Sequence, residues 1–249
     1  MKILVPIRSV LDTDQKIQIS PDGSLDDRDL RYDINPFDAV ALEEALQIRE
    51  SFGQGEVVCA AVGSDDLETQ LRTALAMGAD RALLANTDSQ VDHWSTAVVL
   101  QKIVESELPG LILVGERTAE DDSDMVGVFL AALLDWPQAT FASQITVLDN
   151  KVQVGRETDS GIETITLPMP SVVTCGLRLN KPRYASFRGQ MKARSIPIEC
   201  VSLDDLRSDL EPRVETLNLK LERSKRDCVF VESAEELLRF LRFDAKVLE

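Results

Sequence analysis

Positive charge and histidine are both scarce in this chain. Its 249 residues carry 27 Lys and Arg against 43 Asp and Glu, a formal net charge of −16. This balance argues against a nucleic-acid-binding protein, which needs positive charge to displace the counterions of the phosphate backbone. A catalytic triad or a histidine-ligated metal site would have to use His93, the single histidine. Because His93 lies early in a predicted helix, we expect it to be solvated or packed.

Cysteine motifs and long hydrophobic runs are absent from the sequence. The four cysteines are scattered without CxxC spacing, so we expect reduced, buried thiols rather than a zinc site. No stretch approaches the roughly 18 consecutive apolar residues that a membrane span needs. The chain opens on a strand-like run, Met1–Val5, so we expect no signal peptide. We therefore expect a bacterial cytoplasmic protein, and the mitochondrial matrix stays an open alternative.

The first half of the chain alternates short apolar runs with amphipathic segments. Buried strands are predicted at 2–7, 56–62, 81–85 and 111–114, with helices that start near Asn35, Ser64, Asp92 and Ser123. This alternation is typical of βαβ units, and it predicts a Rossmann-like parallel sheet with helices on both faces.

The pattern changes after Trp136. Short strands predicted at 142–148, 151–156, 161–167 and 172–175 are separated by turns, which indicates an antiparallel meander. From about residue 201 a polar segment leads to a further strand at 229–231 and a helix that begins at Ser233. We predict an α/β domain at 1–200, extended from about 138, and a C-terminal tail at 201–249. The tail helix must bury its apolar face on this domain or on a partner chain.

One stretch, 111–127, is the best candidate for a ligand site. It reads as a buried strand, a polar loop and a helix start, with Asp122 or Ser123 as the N-cap and Gly127 in the first turn. Ligands of open α/β sheets lie beyond the carboxyl end of a strand, and free amides at a helix start suit a phosphate. The alternative is an ordinary βα turn, which every such protein has several times.

A second stretch, 177–197, reverses the sign of the charge. It holds six basic residues and three candidate anchors, Tyr184, Phe187 and Met191. Such a basic loop could dock an acidic partner, or it could lie on the acidic surface of this protein itself.

Four motifs in chain order resemble the β subunit of electron-transfer flavoproteins. They are Asn35–Asp38 with Ala41–Ala45, then Leu71–Arg81, then Trp136–Ser143, and finally Arg156–Glu157 with Gly161–Thr164, Pro170–Thr174, Leu177–Asn180, Pro182–Ala185 and Met191–Ala193. The resemblance runs over nearly the whole chain.

The resemblance implies a non-enzymatic electron carrier that forms a heterodimer. The α subunit would hold most of the FAD, and the β subunit would bind one structural AMP and wrap its tail around the partner. Electrons would pass from a flavin dehydrogenase toward a membrane quinone oxidoreductase.

The resemblance also assigns site residues. The implied AMP site comprises Pro6, Asn35, Pro36, Phe37, Asp38, Val62, Glu120, Asp121, Asp122, Ser123, Asp124, Met125, Val126 and Gly127. Docking of the dehydrogenase would fall in Tyr184–Ile196, on Tyr184, Phe187, Arg188, Met191, Lys192 and Arg194.

The chain departs from the family pattern at several of these positions. Asp124-Met125-Val126 stands where Asn-Gln-Thr is usual, and an aspartate repels phosphate. Arg117, in place of a glutamine, offers a compensating charge. Thr13 replaces a tyrosine near the flavin. Phe187-Arg188 replaces a Leu-Pro pair, and a lysine run is reduced to Arg194–Ile196, so we expect a dehydrogenase other than the common acyl-CoA type.

Three alternatives stay open at this point. A bifurcating flavoprotein would place a second FAD at the AMP position, but only Val126-Gly127 matches its helix start. An ATP-cleaving or amidating enzyme would need a glycine-rich loop near the first strand, and residues 8–14 contain no glycine. A homodimeric stress-type nucleotide-binding module would have no use for the meander and the basic loop.

Overall fold

The computed structural model describes residues 1–12, 14–20, 23–26, 28, 30–87, 91–204, 210, 212–220 and 228–248. These divide into two compact units, Met1–Ile17 with Asp26–Leu217, and Gln18–Leu25 with Asn218–Glu249. The domain boundary at residue 201 stays a prediction.

The first unit alternates strands with helices, as the sequence predicts. Its strands are β1 (Lys2–Pro6), β2 (Ser9–Leu11), β3 (Tyr32–Ile34), β4 (Glu56–Gly63), β5 (Arg81–Asn86), β6 (Leu111–Gly115), β7 (Gln138–Leu148), β8 (Lys151–Thr158), β9 (Gly161–Pro168), β10 (Ser171–Cys175) and β11 (Ile198–Cys200). Its helices are α1 (Pro36–Phe52), α2 (Glu68–Met77), α3 (His93–Glu107), α4 (Met125–Leu134) and α5 (Phe187–Ala193).

One large sheet organises this unit. Its strand order is β11-β5-β4-β1-β6-β10-β7-β8-β9, and β2 pairs with β3 in a separate antiparallel ribbon. The pairs from β11 to β7 are all parallel, whereas β7–β8 and β8–β9 are antiparallel. The predicted α/β class and parallel sheet are therefore confirmed.

The predicted meander is only partly correct. β7, β8 and β9 form it, but the predicted strand at 172–175 does not belong to it. This strand, β10, inserts between β6 and β7 and pairs in parallel with both. Its five residues, SVVTC, are all buried, as expected for a central strand covered on both faces. The sequence analysis did not identify β11 or the β2–β3 ribbon.

Helices cover both faces of the parallel sheet, as predicted. Along β1, Ile3 and Val5 pack with α1 and α2, while Leu4 packs with α3 and α4. This alternation follows from the two-residue period of a strand. Two separate apolar clusters result, one on each face.

Charged side chains tie the amino end of the sheet together. The Lys2 ammonium lies 2.7 Å from Glu107 Oε2 at the end of α3. Arg81 on β5 donates to both oxygens of Glu107, at 2.9 and 3.0 Å, and to both oxygens of Glu199 on β11, at 2.7 Å. The network thus joins β1, β5, β11 and α3, and it holds the short edge strand β11 in place.

The second unit contains α6 (Ala234–Arg239), which continues as a π-helical turn over Phe240–Asp244. The Ser233 side chain accepts a hydrogen bond from the Glu236 N–H at 3.1 Å, so the predicted helix start is confirmed. The predicted strand at 229–231 is wrong, because these residues have no regular structure. Within the described ranges, no helix is long and apolar enough to cross a membrane.

We expect Arg81→Met to lower the free energy of unfolding at neutral pH by about 1 to 2 kcal/mol, since it removes the donor shared by two carboxylates. Hydrogen bonds from Arg81 hold the pKa of Glu107 and that of Glu199 below the ordinary 4.5. Because both pKa values are depressed, this stabilisation is present above 4.5 and is lost as the pH falls through the folded values.

Urea unfolding from neutral to acidic pH measures this effect. The difference in the free energy of unfolding between wild type and variant should disappear at acidic pH. The control is Arg178→Met, because the Arg178 side chain is 81% exposed and its ion pair with Glu157 should contribute little. A gap that stays constant across the acid range would contradict the assignment.

Candidate functional site

A cavity of about 200 Å³ lies at the carboxyl end of the parallel sheet. The order of the strands reverses between β1 and β6, and the cavity is built from the residues that follow β1 and β6, from the end of β4, and from the starts of α3 and α4. Its lining includes Pro6, Arg8, Ala60, Val62, Val91, His93, Thr96, Leu100, Thr118 and Val126. A crevice at such a switch point is where open α/β folds take their ligands.

Three predicted nucleotide-binding residues, Pro6, Val62 and Val126, line this cavity. Gly127 packs α4 on the sheet, because a Cβ atom there would lie 2.6 Å from Cγ2 of Thr174. Met125 is 46% exposed and is not among the lining residues.

Asp38 is fully buried beside the cavity, and both its oxygens are occupied. It accepts hydrogen bonds from the backbone N–H of Arg8 at 2.8 Å, from the Arg8 guanidinium at 2.6 and 3.0 Å, and from the Gly115 N–H at 3.1 Å. A Cβ atom at Gly115 would lie 2.1 Å from Asp38 Oδ1, so only glycine fits there. Asp38 therefore joins the ends of β1 and β6.

Asn35 holds the polar loop that follows β6. Its side chain donates to the Arg117 carbonyl at 2.8 Å and accepts from the Ala119 N–H at 3.2 Å. It occupies the predicted N-cap position of α1, and Pro36 is the first helical residue, but the Asn35 side chain makes no capping bond. The sequence motif is therefore used to position a neighbouring loop.

The predicted N-cap of α4 is wrong. The residue at that position is Asp124, and no side chain caps the helix. The Ser123 N–H instead donates to Asp121 Oδ1 at 3.0 Å, and Asp122 adopts a left-handed backbone with φ of 58°. The first turn of α4 thus keeps its amides free of any side-chain cap.

His93 connects α3 to the acidic loop. Its Nε2 lies 2.8 Å from Asp121 Oδ2, and the hydroxyl of Thr118 also donates to the Asp121 carboxylate. Partial desolvation alone would raise the pKa of Asp121, but hydrogen bonds from Thr118, Ser123 and His93 hold it below the ordinary value. The loop, in which Glu120 and Asp122 are exposed, is therefore fixed over one side of the cavity.

A second cavity, of about 290 Å³, lies on the other side of this loop. Phe37, Asp122 and Arg117 line it. The Arg117 guanidinium pairs with Glu116 at 2.8 Å and with Asp122 at 2.9 Å. Arg117 thus lies in a different cavity from Arg8 and His93, and its charge is already compensated.

The sequence analysis missed Arg8, Thr96 and Thr118 as cavity residues, and it gave His93 no binding role. These residues could have been found from their positions relative to the predicted strands and helices, although not from the residue types themselves. Arg8 comes directly after the first buried strand, and His93 opens a helix, so both had to lie at the carboxyl edge of the sheet. Thr13, predicted to lie near a flavin, falls outside the described residues.

The predicted docking loop contains a short helix, α5, that rests on α2. The Ser186 side chain accepts from the Gly189 N–H at 3.0 Å and caps the helix. A Cβ atom at Gly189 would lie 2.3 Å from the Ala76 carbonyl oxygen, so glycine permits the close contact. Arg72 donates to the carbonyls of Ala193 and Ile196, and it thereby satisfies acceptors at the end of α5.

Some basic residues of the stretch 177–197 pair with carboxylates of this same chain, and others form no ion pair within the described residues. Arg178 pairs with Glu157, and Arg183 pairs with Glu43 and Glu50, so these two lie on the acidic surface of the chain itself. The other predicted docking residues lie on α5 and next to it. Tyr184 is 92% exposed, Phe187 is 79% exposed and Met191 is 51% exposed. The side chains of Arg188, Lys192 and Arg194 are also exposed, and they form no ion pair within the described part of the chain.

The described residues contain no group of three His, Cys, Asp or Glu side chains arranged to hold a metal ion. Fold and cavity together define a doubly wound α/β protein with a ligand-sized crevice at its switch point.

Comparison with known proteins identifies the family. Residues 22–206 match the model of the electron transfer flavoprotein domain. The chain is 40% identical over 249 residues to the electron transfer flavoprotein subunit beta of Bradyrhizobium diazoefficiens, covering all of both chains. It is 40% identical over 252 residues to the mitochondrial β subunit of Arabidopsis thaliana, again over both full lengths. It is 38% identical over 247 residues to the electron transfer flavoprotein subunit beta of Mus musculus, with 97% of each chain covered.

The chain therefore belongs to the electron transfer flavoprotein family, among its β subunits. The resemblance inferred from the sequence motifs is confirmed. The ATP-cleaving enzyme and the stress-type module are set aside as classes for this chain.

We expect Gly189→Ala to displace α5, because its new methyl group would collide with a backbone carbonyl of α2. Amide hydrogen exchange in residues 187–195 should accelerate by about tenfold, while the global stability changes by no more than about 1 kcal/mol. Mass spectrometry of peptic fragments measures the exchange of residues 187–195 and that of the rest of the chain in one experiment. Gly110→Ala is the control, since its Cβ would meet the flexible Met1 side chain at 3.2 Å and the nearest backbone atom, the Lys2 carbonyl oxygen, only at 3.9 Å. Unchanged exchange in α5 would show that Gly189 does not fix this helix.

Proposed function

We propose that this chain is one half of a heterodimeric electron carrier. It would assemble with an electron-transfer flavoprotein α subunit, which holds most of the FAD. The complex would take electrons from a flavin dehydrogenase and pass them toward a quinone oxidoreductase. The full-length similarity to β subunits carries this proposal. The flavin supplies the redox chemistry and this chain supplies binding and orientation, so we assign it no catalytic residue.

The exposed apolar residues of the second unit support the proposal of an α-subunit partner. Described residues of α6 include no buried side chain, and Leu237, Leu238 and Phe243 are 43%, 57% and 66% exposed. An amphipathic helix with an uncovered apolar face gains stability when a partner covers it. A tail that wraps around the α subunit would supply that cover.

We place the proposed AMP in the cavity at the switch point. Ala60, Val62, Leu100 and Val126 offer apolar walls for an adenine ring. Thr118 and the uncapped start of α4 would face a phosphate, which binds well at a helix N-terminus, whereas the charge of Arg8 is already paired with Asp38. Asp124 opposes this binding through its charge. The nucleotide would strengthen the carboxyl edge of the sheet without taking part in electron transfer.

The α5 surface would dock the dehydrogenase. Phe187 and Met191 present apolar area, and Arg188, Lys192 and Arg194 carry unpaired positive charge in an otherwise acidic chain. Such a surface suits an acidic partner with apolar contacts. We place the complex in a bacterial cytoplasm, with the mitochondrial matrix as the alternative.

The first test is co-expression with the α subunit from the same source, followed by an absorption spectrum and analysis of the released nucleotides. We expect a yellow heterodimer that releases one FAD and one AMP and that accepts electrons from a flavin dehydrogenase. Two FAD per heterodimer would replace this proposal with the bifurcating alternative. A colourless homodimer would overturn it.

We expect Asp124→Asn to tighten AMP binding by about three- to tenfold, because one negative charge is removed near the phosphate. The Asp124 side chain makes no capping hydrogen bond, so the stability of α4 should change little. Calorimetric titration of nucleotide-stripped heterodimer measures the affinity.

The matched control is Asp135→Asn, the same change at the left-handed residue that ends α4, where φ is 52°. It should leave the affinity unchanged. If Asp124→Asn weakens binding or has no effect, the phosphate does not lie at the start of this helix.

A further inference from the structure

A third cavity lies apart from the switch-point cavity and from the one beside Arg117. It is a cleft of about 580 Å³ between α1, α2 and the segment 177–185, and we call it the α1–α2 cleft. Its lining is mostly apolar and includes Ala39, Val40, Met77 and Leu177, with Tyr184 at its rim. It leads directly to Ser186 and α5.

The walls of the cleft are held in place by hydrogen bonds. The Asn180 amide donates to the Val40 carbonyl at 3.1 Å and to Glu44 Oε2 at 2.9 Å. Arg183 donates to Glu43 at 2.7 and 3.0 Å and to Glu50 at 2.6 and 3.1 Å. The segment 177–185 is thus fixed to α1. A preformed cleft requires little ordering when a ligand enters, and this favours binding.

The charge around the cleft selects its occupant. Lys181 lies in the lining and forms no ion pair with a described residue, and the unpaired Arg188, Lys192 and Arg194 follow on α5. Asp33 is the one carboxylate among the lining residues, and it accepts a hydrogen bond from the Ile34 N–H at 2.7 Å.

Glu43 and Glu50 of the α1 wall share Arg183, and Glu44 is bonded, among the described residues, only to the neutral Asn180 amide. Of the charges beside the cleft without an ion pair to a described residue, four are therefore positive (Lys181, Arg188, Lys192 and Arg194) and two are negative (Asp33 and Glu44), and this surplus suits an apolar side chain carried by an acidic segment.

We propose that the α1–α2 cleft receives one large apolar side chain, of the leucine or phenylalanine class, from an acidic segment of the partner dehydrogenase. Docking is then reciprocal: Phe187 and Met191 project toward the partner, and the cleft accepts a side chain from it. This inference rests on the proposed docking function, and it adds a receiving site to the projecting one.

Filling the cleft tests the inference. Thr73 lines the cleft from α2, and Thr73→Trp would occupy it. Ala39→Leu fills it from α1 and serves as the second variant if the first fails to fold. The control is Thr69→Trp, one turn earlier on α2, at an exposed position outside the lining. With the heterodimer as the substrate of the dehydrogenase, we expect both filling variants to raise KM about tenfold and to leave kcat unchanged.

A charge test accompanies the filling test. Lys181→Glu should raise KM at low salt, and the difference should shrink as salt screens it. Lys151→Glu, at an exposed position at the start of β8, is the control and should have no effect.

Binding of a peptide probe tests the cleft independently of electron transfer. A labelled acidic peptide with one central leucine should bind the wild-type heterodimer, measured by fluorescence anisotropy, and a matched peptide with alanine should bind about tenfold more weakly. The filling variants should abolish this difference. If the two peptides bind equally, the inference is wrong even if electron transfer occurs. If no dehydrogenase reduces the heterodimer, the proposed function fails, and the peptide still decides the cleft.

Two further outcomes would overturn the assignment. Filling variants that prevent assembly with the α subunit would show that the cleft belongs to that interface. Filling variants with unchanged KM and unchanged peptide selectivity would show that no side chain enters it.

Discussion

The carboxylate of Asp38 is the interaction on which the carboxyl edge of this protein depends. It is buried, and it accepts hydrogen bonds from Arg8 after β1 and from Gly115 at the end of β6. These two strands are neighbours in the sheet but are more than a hundred residues apart in the chain. A buried charge is tolerable only when its hydrogen bonds are complete, and here Arg8 also donates to the Gly115 carbonyl at 2.8 Å. The shape of the switch-point cavity follows from this arrangement.

Much of the fold could be predicted because helix and strand signals were local. Pro36 and Gly53 mark the two ends of α1, and Gly53 has the left-handed φ of 65° that ends a helix. The partner of a strand is not a local property. The run Ser171–Cys175 follows the three strands of the antiparallel meander, and its sequence does not show that it returns to the centre of the sheet. The three residues of β11 are too few to show the alternating apolar pattern of a strand. The ion pair between Arg81 and Glu199 that secures β11 joins residues far apart in the sequence.

The site could be predicted as a region more readily than as a set of side chains. The strand–loop–helix pattern at 111–127 indicated the edge of the sheet at which the cavity lies, and Val126 lines that cavity. Asn35 and Asp38 were assigned to the ligand, whereas their polar atoms are bonded to the backbone and to Arg8. A motif shows that a polar residue is needed at a position. It does not show whether that residue contacts a ligand or supports the loop that does.

The switch-point cavity and the exposed face of α5 are built from different residues. The cavity is lined by Ile7 and Leu67 of the apolar cluster under α1 and α2 and by Ala60, Leu100 and Val126 of the cluster under α3 and α4, whereas Ala193 of α5 belongs to the first cluster alone. Helix α1 is the element that both share, through Asp38 at its start and through Glu43 and Glu44 along its length. No residue of α5 lines the cavity, so substitutions at exposed positions of α5 should leave the cavity undisturbed as long as they spare α1. This arrangement gives a physical reason why exposed residues such as Phe187 and Arg188 can vary while the fold is kept.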